Sequence, residues 1–181
     1  MNVTVTGVAA IVVGLLCATD VYPCSIARPV SNVEMVREAD AIVRATAENY
    51  AFAPKNPGSW SGFVPDSRIR FKVLEVVRGK LPADYLVLPG LLVAADDFND
   101  HASPYTFVRP EGRHGNCFAT SYRSGGQFLL MLKKNREGEF TVYWYALGPV
   151  NEQLHSADDP WLLWVRKEAE KPRNTSIKQP Q

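Results

Sequence analysis

The sequence predicts a mainly β domain with a short helix near each end. Hydrophobic and polar residues alternate along residues 41–48 and 67–78, which is the pattern of half-buried strands. Residues 127–133 are nearly all apolar, as expected for a strand at the centre of a barrel or sandwich. Ser31 and Asp159 each stand where a helix N-cap is expected. Together these patterns predict about five strands around a single core.

The composition is that of an ordinary globular domain. The chain has 181 residues, of which 46% are hydrophobic and 22% are charged, so it can bury one core. This excludes wholesale disorder and a collagen-like chain. Lysine and arginine number 20 against 19 acidic residues, for a formal charge of +1. Because such a chain has no field that attracts phosphates, we predict no nucleic-acid partner.

The N-terminus carries an uninterrupted apolar run over residues 8–18. A helix needs roughly 20 apolar residues to cross a bilayer, so we predict no stable membrane span. The run matches the apolar region of a secretory signal peptide, and the turn-forming Asp20 and Pro23 follow it. We therefore predict a signal peptide over residues 1–23, cleaved between 18 and 23, and a secreted or periplasmic protein. The alternative is a buried N-terminal strand or helix of the folded domain.

The chain has three cysteines, an odd number. Removal of the signal peptide takes Cys17 away and leaves Cys24 and Cys117. An oxidising compartment allows these two to pair, so we predict one disulfide. The alternative is two free, buried thiols.

The remaining elements follow from local signals. Ser31 and Glu34 form a capping-box pattern, which predicts a short helix before the strand that begins at Ala41. The Pro- and Gly-containing residues 53–66 predict a loop. In the strand at 67–78 the alternation slips at Leu74, which predicts a β-bulge with Val76 facing inward and Glu75 outward.

Further strands are predicted at residues 85–88 and 140–145, the second as the hairpin partner of 127–133. Asp159 followed by Pro160 predicts the start of a C-terminal helix. We expect Trp161 and Trp164 to pack this helix onto the sheet; the alternative is a partner-binding stripe. The polar residues 172–181 predict a disordered tail.

The segment from Asp96 to His114 contains most of the residues that could bind a metal. Asp96, Asp97, Asp100 and His101 offer oxygen and nitrogen ligands, but a calcium-loop spacing is missing and a solvated acidic loop explains them equally well. The scattered histidines match no zinc motif, and no serine lies in a nucleophile elbow. We therefore predict a protein that is not an enzyme and has no cofactor. A metal-binding protein or an enzyme using the Asp96–His114 loop is the alternative.

Several stretches resemble netrin-like domains, the family that includes the tissue inhibitors of metalloproteinases. These are Cys24-Ser25, then EADAIVRATAENY, IRFKVLEVVRGK, and Cys117 followed by GQFLL. The resemblance covers residues 24–147 and implies a five-stranded OB-type barrel with its N-terminal cysteine segment tied to the barrel by disulfides. Residues 148–171 have no counterpart in those inhibitors and are predicted to form a C-terminal extension with a helix, which looks like the ending of uncharacterised exported bacterial proteins.

The resemblance also implies a binding function. In these inhibitors the amine and carbonyl of the first cysteine chelate the zinc of the target protease. The equivalent residue here is Cys24, with Ser25 beside it, provided that Cys24 is the first residue of the mature chain. We therefore expect an exported, non-enzymatic barrel module that binds a protein or envelope partner, with inhibition of a metalloprotease as a specific form of this function.

Overall fold

The computed structural model describes residues 30–56, 60–61 and 63–172. The described part is mainly β, as predicted. A six-stranded antiparallel sheet forms its body, in the order β10-β8-β1-β4-β5, and β9 pairs with β8 beside β10. Two small sheets accompany it, a β2–β3 hairpin and a parallel β6–β7 pair.

The elements have the following bounds. The helices are α1 (Asn32–Glu38), a π-helical turn (Gly112–Asn116) and α2 (Pro160–Ala169). The strands are β1 (Ala41–Phe52), β2 (Trp60–Ser61), β3 (Val64–Pro65), β4 (Arg68–Arg78), β5 (Tyr85–Pro89), β6 (Leu91–Val93), β7 (Ser121–Arg123), β8 (Gln127–Lys134), β9 (Phe140–Val142) and β10 (Asn151–Leu154).

The two helix N-caps are confirmed. The Ser31 hydroxyl accepts a hydrogen bond from the Glu34 backbone N–H at 3.2 Å. The Asp159 carboxylate accepts one from the Trp161 N–H at 2.9 Å, and Pro160 opens α2 as predicted. Both caps satisfy amide groups that have no partner within the helix. These contacts are local, which is why the sequence pattern was sufficient to place them.

The strand predicted at 67–78 is β4, and its pairing with β1 is interrupted by bulges, one of them at Leu74. The predicted orientation beyond the bulge is wrong. Val76 is 45% exposed, whereas Glu75 is partly buried and bonded to Arg44 of β1 and Arg166 of α2. The docked helix thus gives Glu75 two cationic partners and leaves Val76 at the surface.

Gly79 directly follows β4 and lies against the residues at the start of β1. Its φ is +84°, and an added Cβ would lie 2.4 Å from the Asp40 carbonyl oxygen. Glycine is required there both by the left-handed backbone and by this close approach.

The core is filled by aromatic and aliphatic side chains from elements that include β1, β4, β7, β8 and α2. The rings of Phe71, Tyr122 and Phe128 meet edge to face, with centroids 4.9 Å apart for Phe71–Tyr122 and 5.0 Å apart for Tyr122–Phe128. Trp161 is fully buried, so the prediction that it packs α2 onto the sheet is confirmed. Burying each such ring contributes about 1.5–3 kcal/mol.

Five of the strands in the described residues were not predicted. The loop expected at 53–66 contains the short hairpin β2–β3, and the parallel pair β6–β7 lies outside any predicted strand. β10 has the polar sequence Asn-Glu-Gln-Leu, yet all four of its residues are buried. The strand expected over residues 140–145 is the shorter β9, which pairs with β8 as its predicted hairpin partner.

Among the described residues, no helix is both long enough and apolar enough to cross a membrane. The predicted signal peptide, with its cleavage site, lies outside the described residues. So does the predicted tail, apart from its first residue.

Candidate functional site

A long irregular segment, residues 94–120, connects β6 to β7 and is held in place by a fully buried arginine. Arg109 donates from Nη1 to Asp97 Oδ2 at 2.6 Å and from Nη2 to the Ser121 carbonyl at 2.7 Å. Its guanidinium lies over the rings of Tyr122 and Phe128, 5.4 Å and 5.6 Å from their centroids. A buried charge is tolerated only when it is paired and hydrogen-bonded, and Arg109 meets both conditions.

Glu111 closes the same segment onto β7. Its carboxylate accepts hydrogen bonds from the backbone N–H and the hydroxyl of both Thr120 and Ser121, at 2.9–3.3 Å. It also lies 3.3 Å from Nη1 of Arg109. The two ends of the segment are therefore fixed to each other through charged side chains.

A fully buried acid, Glu152 of β10, holds the middle of the segment. Its Oε2 accepts from the Asn99 side-chain amide at 2.8 Å, and its Oε1 accepts from the Arg109 backbone N–H at 3.2 Å. Burial raises the pKa of this carboxyl to about 7, despite the opposing effect of the Arg109 cation.

Asn99 connects the buried Glu152 to residues at the protein surface through hydrogen bonds. Its amide nitrogen donates both to Glu152 and to the Phe107 carbonyl, the latter at 2.7 Å, and its Oδ1 accepts from the His101 backbone N–H at 3.0 Å. One buried side chain thus positions two surface residues.

Those two residues line an open groove of about 460 Å³, together with Arg113 and Leu147. The Phe107 side chain is 42% exposed. The groove is apolar at Phe107 and Leu147 and polar at Arg113, whose guanidinium pairs with Asp100 and lies 3.3 Å from His101 Nε2. Small apolar grooves with a few oriented polar groups are typical of binding sites.

The backbone beside this groove is strained. Cys117 and Leu147 both have positive φ, 62° and 60°, although neither is glycine. The Leu147 N–H donates to the Cys117 carbonyl at 2.7 Å, and the Val108 N–H donates to the Leu147 carbonyl at 2.8 Å. The preceding π-helical turn is another uncommon conformation. Such features are concentrated at functional sites in proteins.

An aromatic cluster includes Phe118, the residue that follows the strained Cys117. The Phe63 ring stacks on Phe118 with centroids 4.2 Å apart, and Trp144 meets both rings edge-on at 5.9 Å. Phe63 is 43% exposed. We call the surface made by the groove residues His101, Phe107, Arg113 and Leu147 and by this cluster of Phe63, Phe118 and Trp144 the loop face.

The predicted binding residues Cys24 and Ser25 lie outside the described residues. Cys117 is described, and it lies at the edge of the loop face. The predicted pairing of Cys24 with Cys117 stays a prediction.

In the structure, each acid that was a candidate metal ligand in the Asp96–His114 segment pairs with a different arginine. Asp97 binds Arg109, Asp100 binds Arg113, and Asp96 lies 2.8 Å from the Nε of Arg123. His101 contacts Arg113. Within the described part of the chain, no group of three or more His, Cys, Asp and Glu residues is placed to hold a metal ion. The geometry therefore favours these acids as partners of arginines.

Sequence reasoning missed Arg109, Asn99 and Glu152. Their roles depend on contacts 43 and 53 positions apart along the chain. The sequence signal available was a charged or polar residue within an otherwise poorly patterned strand or loop, which does not identify its partner.

No protein-family model matches this chain, and a search of curated proteins finds no match either.

Proposed function

We propose that this chain is an exported, non-enzymatic binding module that holds a protein partner against its loop face. The observation that carries the proposal is the placement of Phe107. The backbone carbonyl of this residue accepts a hydrogen bond from a buried asparagine, and its aromatic side chain is exposed. Rigidly presented aromatic side chains are the residues that most often dominate protein interfaces.

The partner that suits this surface offers an apolar side chain. The groove walls formed by Phe107 and Leu147 would receive that side chain, and the neighbouring rings of Phe63 and Phe118 would extend the apolar contact. Because Arg109 and Glu111 fix the segment beforehand, little conformational entropy is lost when the partner binds.

As the scaffold we propose an OB-type barrel of the netrin-like kind. β1 pairs with both β4 and β8, β4 continues to β5, and β8 continues to β9, which is the order that such a five-stranded barrel requires. β5 and β9 approach each other, so a ladder between them would close the barrel. The bulges of β1 and β4 supply the bending that closure needs.

Export is supported by the apolar run at residues 8–18 and by the odd cysteine count that cleavage makes even. Inhibition of a metalloprotease is a specific form of this function, and it requires Cys24 as the mature N-terminal residue. A mature chain that starts at any other residue rules out zinc chelation by the Cys24 amine.

The test is to compare the mature chain with two variants as bait for proteins of the cell envelope and medium. Phe107→Ala removes the aromatic anchor but keeps the backbone carbonyl that Asn99 binds. Phe52→Ala, at a phenylalanine that is still more exposed (68% against 42% for Phe107) at the end of β1, is the control. Quantitative mass spectrometry measures enrichment, and the affinity for the enriched protein is then measured in purified form.

We expect a partner that the wild type and Phe52→Ala bind equally and that Phe107→Ala binds at least about tenfold more weakly, as for an interface hot spot. Equal binding by all three chains, or the absence of any directly binding protein, contradicts the proposal.

A further inference from the structure

The groove on the loop face is connected to a buried acid, Glu152, through a chain of hydrogen bonds. Glu152 is fully buried on β10, and its two carboxyl oxygens receive the Asn99 amide and the Arg109 backbone N–H. Asn99 in turn holds the Phe107 carbonyl and the His101 N–H, and both of these residues line the groove. If the carboxyl of Glu152 leaves its site, both groove residues lose their common support.

The charges around Glu152 make its ionised form unfavourable in place. Arg109 is the neighbouring cation, but Asp97 and Glu111 already bind its guanidinium. Three carboxylates would then share one buried arginine. Tyr105 and Tyr122 of β7 also interact electrostatically with Glu152, Asp159 at the start of α2 interacts with Tyr105, and none of these three groups adds a positive charge.

The neutral carboxyl fits the same site without loss of contacts. A protonated carboxyl keeps acceptor capacity on both oxygens, so the bonds from Asn99 and from the Arg109 N–H persist. Protonation also removes one of the three negative charges. The closed arrangement therefore suits the neutral form better than the ionised one.

We propose that Glu152 is a pH-responsive clamp on the groove: the neutral carboxyl holds residues 99–109 closed, and ionisation on going towards neutral pH loosens them. The clamp regulates the site of the proposed function, and it rests on that function only for its biological meaning.

The direction follows from linkage. The closed state raises the pKa of Glu152 from 4.5 to about 7, and opening exposes the carboxyl to water and returns the pKa towards its ordinary value. Between these two values the closed state binds more protons than the open state. The closed state is therefore favoured most in acid and loses this advantage as the pH rises to about 7.

The test is hydrogen–deuterium exchange of the amides of residues 99–109 between pH 5.0 and 7.5, corrected for the intrinsic pH dependence of exchange. The wild type should lose protection by at least about tenfold over this range. Glu152→Gln, which imitates the neutral carboxyl, should show protection that does not change with pH. Glu75→Gln is the matched control, since Glu75 lies on β4 with Arg44 and Arg166 and should leave the wild-type behaviour intact.

Constant protection in the wild type, or the same loss in Glu152→Gln, overturns the clamp. If Glu152→Gln does not fold, the wild type decides: the loss of protection in residues 99–109 should follow the titration of the Glu152 carboxyl ¹³C signal, and a loss of protection with a different midpoint, or none, overturns the clamp. None of these measurements uses a partner. Failure of the clamp is therefore distinct from failure of the proposed function, which Phe107→Ala tests in the binding experiment.

Discussion

Arg109 is the residue on which the candidate site depends most. Its side chain is fully buried and neutralises Asp97 and Glu111 while Glu152 lies nearby. Removing one partner of a buried ionic group is costly because the remaining charges stay desolvated.

Replacing Arg109 with methionine, which keeps much of its volume, should therefore destabilise the protein by about 3–5 kcal/mol in urea unfolding. Arg70→Met is the control. Arg70 is 52% exposed and lies 3.7 Å from Glu48, so its loss should cost less than about 1 kcal/mol. Equal losses for the two variants would show that the Arg109 network contributes no special stability.

This residue-scale network shows why Asp96, Asp97, Asp100 and His101 resemble a set of metal ligands in the sequence. Acid-rich loops have the same sequence appearance whether a cation or an arginine compensates them. The arginine that binds Asp97 follows 12 positions later, in a stretch without periodic pattern. Local spacing therefore located the polar segment but could not identify its counter-charge.

At the scale of the element, α2 shows where a local signal and tertiary packing agree. Asp159 caps the helix through the Trp161 N–H, and its other oxygen accepts from the His155 N–H at 3.0 Å and faces His155 Nδ1 at 3.1 Å. The Phe98 ring stacks on that imidazole with centroids 4.0 Å apart. The cap thus also fixes the end of β10.

Asp159→Ala should lower the free energy of unfolding by about 1–2 kcal/mol, because both helix and strand ends lose an acceptor. The neighbouring Asp158→Ala is the control, since Asp158 is exposed and its change should stay within about 0.5 kcal/mol. Thermal unfolding at pH 7 measures both. If the cap is dispensable, the Asp159→Ala and Asp158→Ala variants will have equal melting temperatures.

The strands show where element prediction fails. β4 was recognised from its alternation, whereas β10 was missed because three of its four residues are polar. Those polar side chains are buried against the 94–120 segment, which supplies their hydrogen-bond partners. Likewise Glu75 faces Arg166 of α2. Periodicity within one strand gives no information about a helix from a distant part of the chain that packs against it.

At the scale of the whole molecule, the sequence was sufficient for the mainly β class and for the order of its principal elements. It did not predict the long segment that covers β10 or the groove on the loop face. Alternation and capping act within a few residues, whereas the groove depends on contacts between distant segments, such as Leu147 with Cys117 and Asn99 with Glu152.

The predicted disulfide is the whole-molecule contact that remains to be tested. Val30, with which the described part begins, lines a small pocket with Phe107 and Leu147, and the Leu147 N–H binds the Cys117 carbonyl. Cys24 precedes Val30 by six residues, a stretch that can extend at most about 20 Å. We therefore expect Cys24 to reach Cys117 and to tie the mature N-terminus to the edge of the loop face.

Such a bridge closes a long loop and should contribute about 4 kcal/mol to stability. Cys117→Ser should lower the melting temperature, and reductant should lower that of the wild type but not that of the variant. Intact mass under non-reducing conditions should show a mature chain that lacks the signal peptide and is lighter than its reduced form by two hydrogens. Equal sensitivity of the variant and the wild type to reductant would rule the bridge out. In that case only the polypeptide backbone, and no disulfide, would connect the mature N-terminus to the loop face.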